Sequence, residues 1–519
     1  MKRICTLILA AGLVFGAATG ASAIDFKAKG QWLMGFGVGT DSPVSKVSNN
    51  GTKRKADNTD TFDAQQRVRL QLDAVASEAL SGTVYFEIGT QKWGQSSTGG
   101  ALGADGVNQV RVKNAYIDWA IPQTDAKVRM GIQGLALPNT YAGGSAVMDT
   151  DVAAVVASYK FNENASMTAF WARPFNDNFN GKDARYHGTN HTNYLDNMDL
   201  FGVTAPLTFD GVNLTPWVMY GMMGKNTLTN YVDNTDDGVD NGSYSNIGSR
   251  DGNPPYPLLP FPVASNPSSL GGTSKSYGSM FWAGLPLAVT MFDPLNIELD
   301  INYGYVEGMG RYDVQKGQGG DMVRGSTQRQ GWLAKALVEY KLDWGVPGVF
   351  GWYASGDDSS VKNGSERMPS LVPTGNFTSF MGDGNYGWLR QDYGVDYAGT
   401  WGIGAQLKDM SFLEDLKHTF RLAYWGGTNS TSMVKYMSSA YAWTEGVGAA
   451  TVPYLTTKDG LVEFNLVNSY KIYQNLEMNL ELDYLVNCMD NSTWKKANTP
   501  SSFSKQDMWK AQVTFAYSF

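Results

Sequence analysis

Polar and apolar residues alternate one by one along most of this chain. From Asp25 the even positions read Phe26, Ala28, Gly30, Trp32, Met34, Phe36 and Val38, against Asp25, Lys27, Lys29 and Gln31 at odd positions. Between 63 and 74, Ala64, Val68, Leu70, Leu72 and Ala74 alternate with Asp63, Gln65, Arg67, Arg69, Gln71 and Asp73. Near the other end, Leu476, Met478, Leu480, Leu482, Tyr484 and Val486 alternate with Glu477, Asn479, Glu481 and Asp483. A period of two puts successive side chains on opposite faces of a strand. Soluble sandwiches alternate as well, but their strands average about 5–6 residues. These runs are roughly twice as long, enough to cross a bilayer at a tilt.

Runs of this kind fall near 25–40, 60–75, 80–93, 107–121, 124–135, 150–161, 164–175, 197–207, 211–224, 277–292, 294–308, 328–343, 346–357, 397–408, 415–428, 458–472, 475–488 and 506–519. The pattern predicts an all-β transmembrane antiparallel barrel of about eighteen strands, an even count as bacterial barrels have. Sixteen is the alternative, if 150–161 and 197–207 belong to loops. The connections alternate short and long. Pro122-Gln123, Asn162-Glu163 and Tyr473-Gln474 are short; 41–59, 94–106, 136–149, 176–196, 225–276, 309–327, 358–396, 429–457 and 489–505 are long. Short periplasmic turns and long extracellular loops characterise outer-membrane barrels. The Pro run from Pro254 to Pro262 in one long loop is stiff and extended. Its apolar residues either dock on a neighbouring subunit or pack over the barrel mouth.

The N-terminus changes the picture by placing the chain outside the cytoplasm. Lys2 and Arg3 precede an apolar stretch at 7–18, and Ala21-Ser22-Ala23 forms a small-x-small cleavage site. Residues 1–23 therefore read as a signal peptide and 24–519 as one barrel domain. Cleavage removes two of the 41 basic residues and none of the 49 acidic ones, so the net charge moves from −8 to −10. Such an acidic chain is no general nucleic-acid binder. Cleavage also removes Cys5 and leaves Cys488 alone, so no intrachain disulfide is expected. Aromatics reach 13 %, and Trp32, Trp93, Trp119 and Trp509 are assigned to interfacial girdles.

The last strand presents Trp509, Ala511, Val513, Phe515, Tyr517 and Phe519 on one face. Phe515, Tyr517 and the terminal Phe519 resemble the insertion signal that the barrel-assembly machinery of the outer membrane reads. The stretch from Gln109 to Trp119, then Val128-Arg129-Met130-Gly131-Ile132-Gln133 and Asp149-Thr150-Asp151-Val152-Ala153, resembles the homotrimeric outer-membrane porins of sulfate-reducing bacteria. The resemblance covers essentially the whole chain. It implies a homotrimer with one pore per chain, surrounded by outer-membrane lipid and lipopolysaccharide.

In general porins the loop after the fifth strand folds inward and narrows the barrel. Here that loop is 135–150, with Pro138, Gly143 and Gly144, leading into Asp149 and Asp151. Arg67, Arg69, Arg111, Lys113, Lys127 and Arg129 fall on neighbouring inward faces. Opposed charges of this kind set up a transverse field across a constriction. The expected function is a water-filled channel for passive diffusion of small hydrophilic solutes and ions, with mild anion preference. A substrate-specific channel, selective for a sugar or an anion, is the alternative. No catalytic grouping and no cofactor are expected. His187 and His191 lie four apart but in a stretch without helical period. The acidic run from Asp233 has Tyr244 where a calcium loop needs Glu, which leaves only weak calcium binding open for the acidic loops.

Overall fold

In the computed structural model of this chain, antiparallel strands close into a single barrel. The structure describes residues 24–40, 45–47, 60–95, 100–103, 110–140, 145–176, 197–224, 258, 275–317, 320–374, 377–380, 397–437, 454–496, 503–505 and 507–519. The first nine wall strands are β1 (Asp25–Thr40), β2 (Asp60–Ser77), β3 (Leu80–Lys92), β4 (Val110–Ala120), β5 (Ala126–Ala136), β6 (Asp149–Lys160), β7 (Ser166–Asn176), β8 (Asn197–Thr204 with Leu207–Phe209) and β9 (Val212–Leu214 with Trp217–Gly224). The remaining nine are β10 (Tyr277–Phe292), β11 (Leu295–Val306), β12 (Arg329–Tyr340), β13 (Val346–Ala354), β14 (Thr400–Leu413), β15 (Leu416–Gly427), β16 (Gly460–Tyr473), β17 (Leu476–Asn487) and β18 (Met508–Ser518).

Each strand pairs with its sequence neighbours, and β18 returns to β1 in a register running from Gln31↔Ser518 to Gly39↔Lys510. The chain end completes the seam, because Gly30 N donates to Phe519 O at 3.0 Å and Phe519 N to Gly30 O at 3.1 Å. Closure leaves no edge strand and pairs the backbone within the wall, which lipid demands. β8 and β9 are each broken where Pro206 and Pro216 offer no N–H to the ladder. Both continue beyond the break. The runs at 150–161 and 197–207 are thus wall strands, which rules out the sixteen-strand alternative.

Eight short connections at the lower rim alternate with nine long ones at the upper rim, as the sequence predicts. Three of the long ones are more ordered than expected. Within 309–327, Arg311–Gln315 pairs antiparallel with Met322–Ser326, and Ser45–Val47 pairs with Phe503–Lys505 across two loops.

Outside, the wall carries an apolar band that includes Met130, Ile132, Leu299, Ile301, Ile403 and Leu422, all exposed. Trp32 and Trp119 face outward near the lower rim, Trp32 lying 5.3 Å from the Phe519 ring and 5.9 Å from Tyr517. Near the upper rim Trp332 stacks on Tyr353 at 5.1 Å, Trp401 meets Tyr424 at 5.6 Å, and Trp509 pairs across from Tyr484. Trp93 packs edge-on against Phe36 at 5.3 Å. All four tryptophans assigned to girdles thus lie on the outer surface.

One glycine is demanded by geometry. Gly131 has φ 133°, and a Cβ there would stand 2.3 Å from Ala115 O and 2.7 Å from Tyr116 Cα. Gly131→Val should therefore cost about 1–3 kcal/mol, read as a lower urea midpoint of the folded barrel in detergent. An unchanged midpoint would mean that the β4–β5 backbone relaxes freely.

Candidate functional site: the lumen and its inward loops

The lumen wall of β2–β5 carries most of the predicted basic cluster. Arg69, Glu87 and Arg111 stand side by side in one row of the sheet, next to Gln31. Arg67 lies two residues higher on β2. Arg69 Nε donates to Glu87 at 2.7 Å. Lower down, Arg129 grips Asp118 with two bonds of 2.7 and 2.8 Å and lies 4.1 Å over the Tyr116 ring. Lys127 sits at the lower rim, in a recess of about 440 Å³ that Asp125, Lys160 and Glu163 also line. The basic residues thus form a ladder down one wall rather than a ring at one height, and neighbouring carboxylates brace it.

The acidic side of the expected constriction is placed differently. On β6, Val152 and Ala154 are buried, while Asp151 alternates with them on the exposed face that carries Ala153 and Tyr159. Lys113, at a bulge in β4, forms an ion pair with Asp151, and Asn114 Nδ2 donates to the same carboxylate at 2.8 Å. Asp149 accepts from Thr374 Oγ1 at 3.0 Å. Asp151 and Lys113 therefore meet each other two strands apart. They do not oppose each other across the lumen, because one carboxylate on β6 is within reach of β4 over the side-chain-free Gly134.

The described ends of the loop after β5 pack against the protein. Leu137, Val147 and Met148 are buried, and Thr140 Oγ1 donates to the carbonyl of Leu299 on β11 at 3.3 Å. Gly143 and Gly144 lie outside the described residues. A second strap, which the sequence reading left among surface loops, comes from the β13–β14 connection. Arg329 on β12 donates to the carbonyls of Arg367 at 2.8 Å and Met368 at 3.0 Å. Trp282 Nε1 donates to Pro369 O at 3.0 Å, and Leu371 N to Val147 O at 2.8 Å. The strap then reaches the wall of β16–β18. There Glu463 accepts from Thr378 Oγ1 at 2.6 Å and Phe380 N at 2.7 Å, and Lys510 Nζ donates to Ser379 O at 2.9 Å. Met368, Leu371, Phe377 and Phe380 are buried along it. That apolar content was the available signal, since a solvated loop has no use for four large apolar side chains.

The second strap covers the lumen face of β16–β18, where Glu463, Glu481 and Lys510 are at most 1 % exposed. Lys510 Nζ lies 3.7 Å from Glu481 and 3.6 Å from Asp483. By contrast Gln31, Arg67, Arg69 and Glu87 remain partly open to the lumen. Above the straps the upper loops interlock. Tyr454 donates to Asp357 at 2.7 Å, and burial raises its phenol pKa above the ordinary value. Trp494 Nε1 donates to Asp459 at 3.0 Å. The Asp490 carboxyl caps a short helix, and donors on Thr493 and Ser492 bring its pKa down to about 2.

Among the described residues no three His, Cys, Asp or Glu side chains gather as a metal site. Residues 1–23, His187, His191, the acidic run from Asp233 to Tyr244, and the Pro run except the buried Leu258 lie outside the described residues.

No protein-family model matches this chain, and no curated protein does. Among solved structures it is similar to Pseudomonas aeruginosa OpdL, at 10 % identity and a TM-score of 0.47 over 95 % of this chain and 99 % of that one. Acinetobacter baumannii OccAB3 gives 10 % identity and 0.47, over 95 % and 100 %. A BenF-like porin from Pseudomonas fluorescens Pf-5 gives 11 % identity and 0.47, over 95 % and 99 %.

Lys510→Met would leave Glu481 and Asp483 buried without their cation and should cost about 3–5 kcal/mol. Adding Asp483→Asn should restore part of the loss. Urea titrations of the three proteins check both expectations, and an unperturbed single variant would show that water reaches the cluster.

Proposed function

We propose that this chain is a Gram-negative outer-membrane porin, a water-filled channel for passive diffusion of small hydrophilic solutes and ions. One observation carries the reading: a closed eighteen-strand barrel, apolar outside, holds a partly open, charged wall inside. An exterior of this kind is soluble only in a bilayer, and barrels with short lower turns and long upper loops belong to that membrane. Arg67, Arg69 and Arg111 line the open wall with Glu87 between them, so anions meet a net positive surface and a mild anion preference follows. Transport down a gradient needs no cofactor and no catalytic group.

The rest of the reading rests on the sequence. Residues 1–23 direct export, Phe515, Tyr517 and Phe519 are presented to the barrel-assembly machinery, and lipopolysaccharide surrounds the upper half. The resemblance to the porins of sulfate-reducing bacteria supports a homotrimer with one pore per chain, and small inorganic anions such as sulfate as solutes. The inward straps favour a second reading, a substrate-specific channel, because a lumen narrowed by two loops admits fewer solutes than an open one.

Single-channel recordings in planar bilayers test the proposal. Large ohmic steps closing in threes, scarcely affected by added sugars, are expected of a general porin. Small steps with saturable block by one solute would establish the specific channel, and silence from correctly folded protein would end both readings. Replacing Arg67, Arg69 and Arg111 together by Gln should move the reversal potential in a salt gradient toward cation preference. An unmoved potential would take these side chains off the ion path.

A further inference from the structure

The second strap ends, on the β16–β18 wall, in a seat unlike its other anchors. Just upstream, Phe377 stacks on Trp352 at 4.6 Å and on Phe350 at 5.8 Å, and meets Tyr397 edge-on at 5.1 Å. Apolar contact is non-directional, so it holds a segment down without fixing its register. The next three residues are held by direction. Thr378 Oγ1 donates to Glu463 at 2.6 Å, Ser379 N to Asn465 Oδ1 at 3.2 Å and Phe380 N to Glu463 at 2.7 Å, while Ser379 O accepts from Lys510 Nζ at 2.9 Å. The Lys510 ammonium also lies 5.0 Å from the centre of the Phe380 ring. The wall braces this seat from behind. Trp425 Nε1 on β15 donates to Glu463 at 3.1 Å, and Asn465 Nδ2 donates to Glu463 at 2.9 Å and to Asp483 at 2.8 Å. On the other side, β1 presents Gly35, Gly37 and Gly39 opposite Thr514, Gln512 and Lys510, so no side chain at those positions competes for the lysine.

Burying charge to hold a loop against a wall is unfavourable by itself, and apolar side chains of similar volume serve stability as well or better. What they do not supply is position, because a hydrogen bond holds only within a narrow range of distance and angle. A slip of the strap by one residue would leave Glu463 and Lys510 buried with their partners out of reach. We infer that Glu463, Asn465 and Lys510 are positioning residues for permeation: they hold Thr378–Phe380 in one register inside the lumen and so give the channel a single open width. All three are at most 1 % exposed, so they lie behind the strap and off the solute path. A solute meets the strap, and the place of the strap is set from the wall behind it. The inference rests on the channel reading above and deepens it, since a channel that selects by size needs a bore that does not wander.

Full-length protein carrying Cys488→Ser and Ser379→Cys reports the strap directly. Ser379 is 1 % exposed and joins the seat through its backbone N and O, so a thiol at that position keeps the seat and should resist a water-soluble maleimide. Two further changes unseat the strap. Glu463→Gln, Glu481→Gln, Asp483→Asn and Lys510→Met together neutralise the wall. Phe380→Pro removes one strap donor and the ring but leaves the wall intact, so it tests the seat even if the neutral wall does not fold. In each, modification at position 379 should speed up roughly tenfold or more, because an unanchored segment opens locally. Single-channel recordings should pass from one conductance level to several. The urea midpoint of the neutral wall should stay near that of the parent, which separates position from stability. Slow modification and one conductance level in the folded variants would overturn the inference. Fast modification with one unchanged level would overturn it as well, by showing that the strap does not set the width. Silence from the folded parent would end the channel reading and the width with it, while the modification rates would still show whether the seat holds the strap.

Discussion

Every backbone N–H and C=O that sits in hydrocarbon has to find its partner within the protein. A closed sheet meets that demand, and here the eighteen wall strands pair into one. The rest of the structure follows from that constraint. Closure sets the seam between β1 and β18, where the final residue bonds to Gly30. It also sorts the side chains, because on a wall with lipid outside and water inside a slip of one residue would turn charge outward along a whole strand. The breaks at Pro206 and Pro216 are tolerated because neighbouring strands take up the freed groups: Ala205 N donates to Pro216 O at 3.0 Å and Ser166 N to Pro206 O at 3.1 Å.

Inside the barrel a second constraint operates. A lumen of eighteen strands is too wide for wall side chains to fill, and here two loops fill part of it. Their anchors are unequal. Near β10–β13 the straps rest on an apolar bed of Trp282, Leu333, Phe350 and Trp352. Near β16–β18 the second strap rests on buried charge, with Glu463 accepting from the strap backbone and Lys510 held among Ser379, Glu481 and Asp483. A buried charge is tolerable only while its partners stay in place, so the far end of the strap is fixed in one position. Gln31, Arg67, Arg69, Glu87 and Arg111, on β1–β4, stay only partly buried.

The barrel itself was legible in the sequence to within a few residues at nearly every strand end. The run expected at 277–292 is β10 as found, and that at 25–40 is β1. The inward aim of Arg67, Arg69, Arg111 and Arg129 was legible for the same reason, since alternation assigns a face. The partners of those residues were not. Asp118, Glu87 and Asp151 are ordinary polar positions in the sequence, and only the register between strands puts them beside Arg129, Arg69 and Lys113. The strap from the β13–β14 connection was legible only in part. Met368, Leu371, Phe377 and Phe380 mark it as a segment to be buried, yet nothing local says against which wall.

The sequence by itself determined an all-β barrel of about eighteen strands, the alternation of short and long connections, and the apolar face of most strands. These are local properties, written in a period of two and in turn residues, and the bilayer enforces them strand by strand. The tertiary structure alone decided that Asp151 faces away from the lumen, that two loops share the interior, and that one wall stays open to water. Those outcomes depend on cross-strand register and on contacts such as Thr378 with Glu463, 85 residues apart. They arise only once the barrel has closed and its loops compete for the same enclosed space.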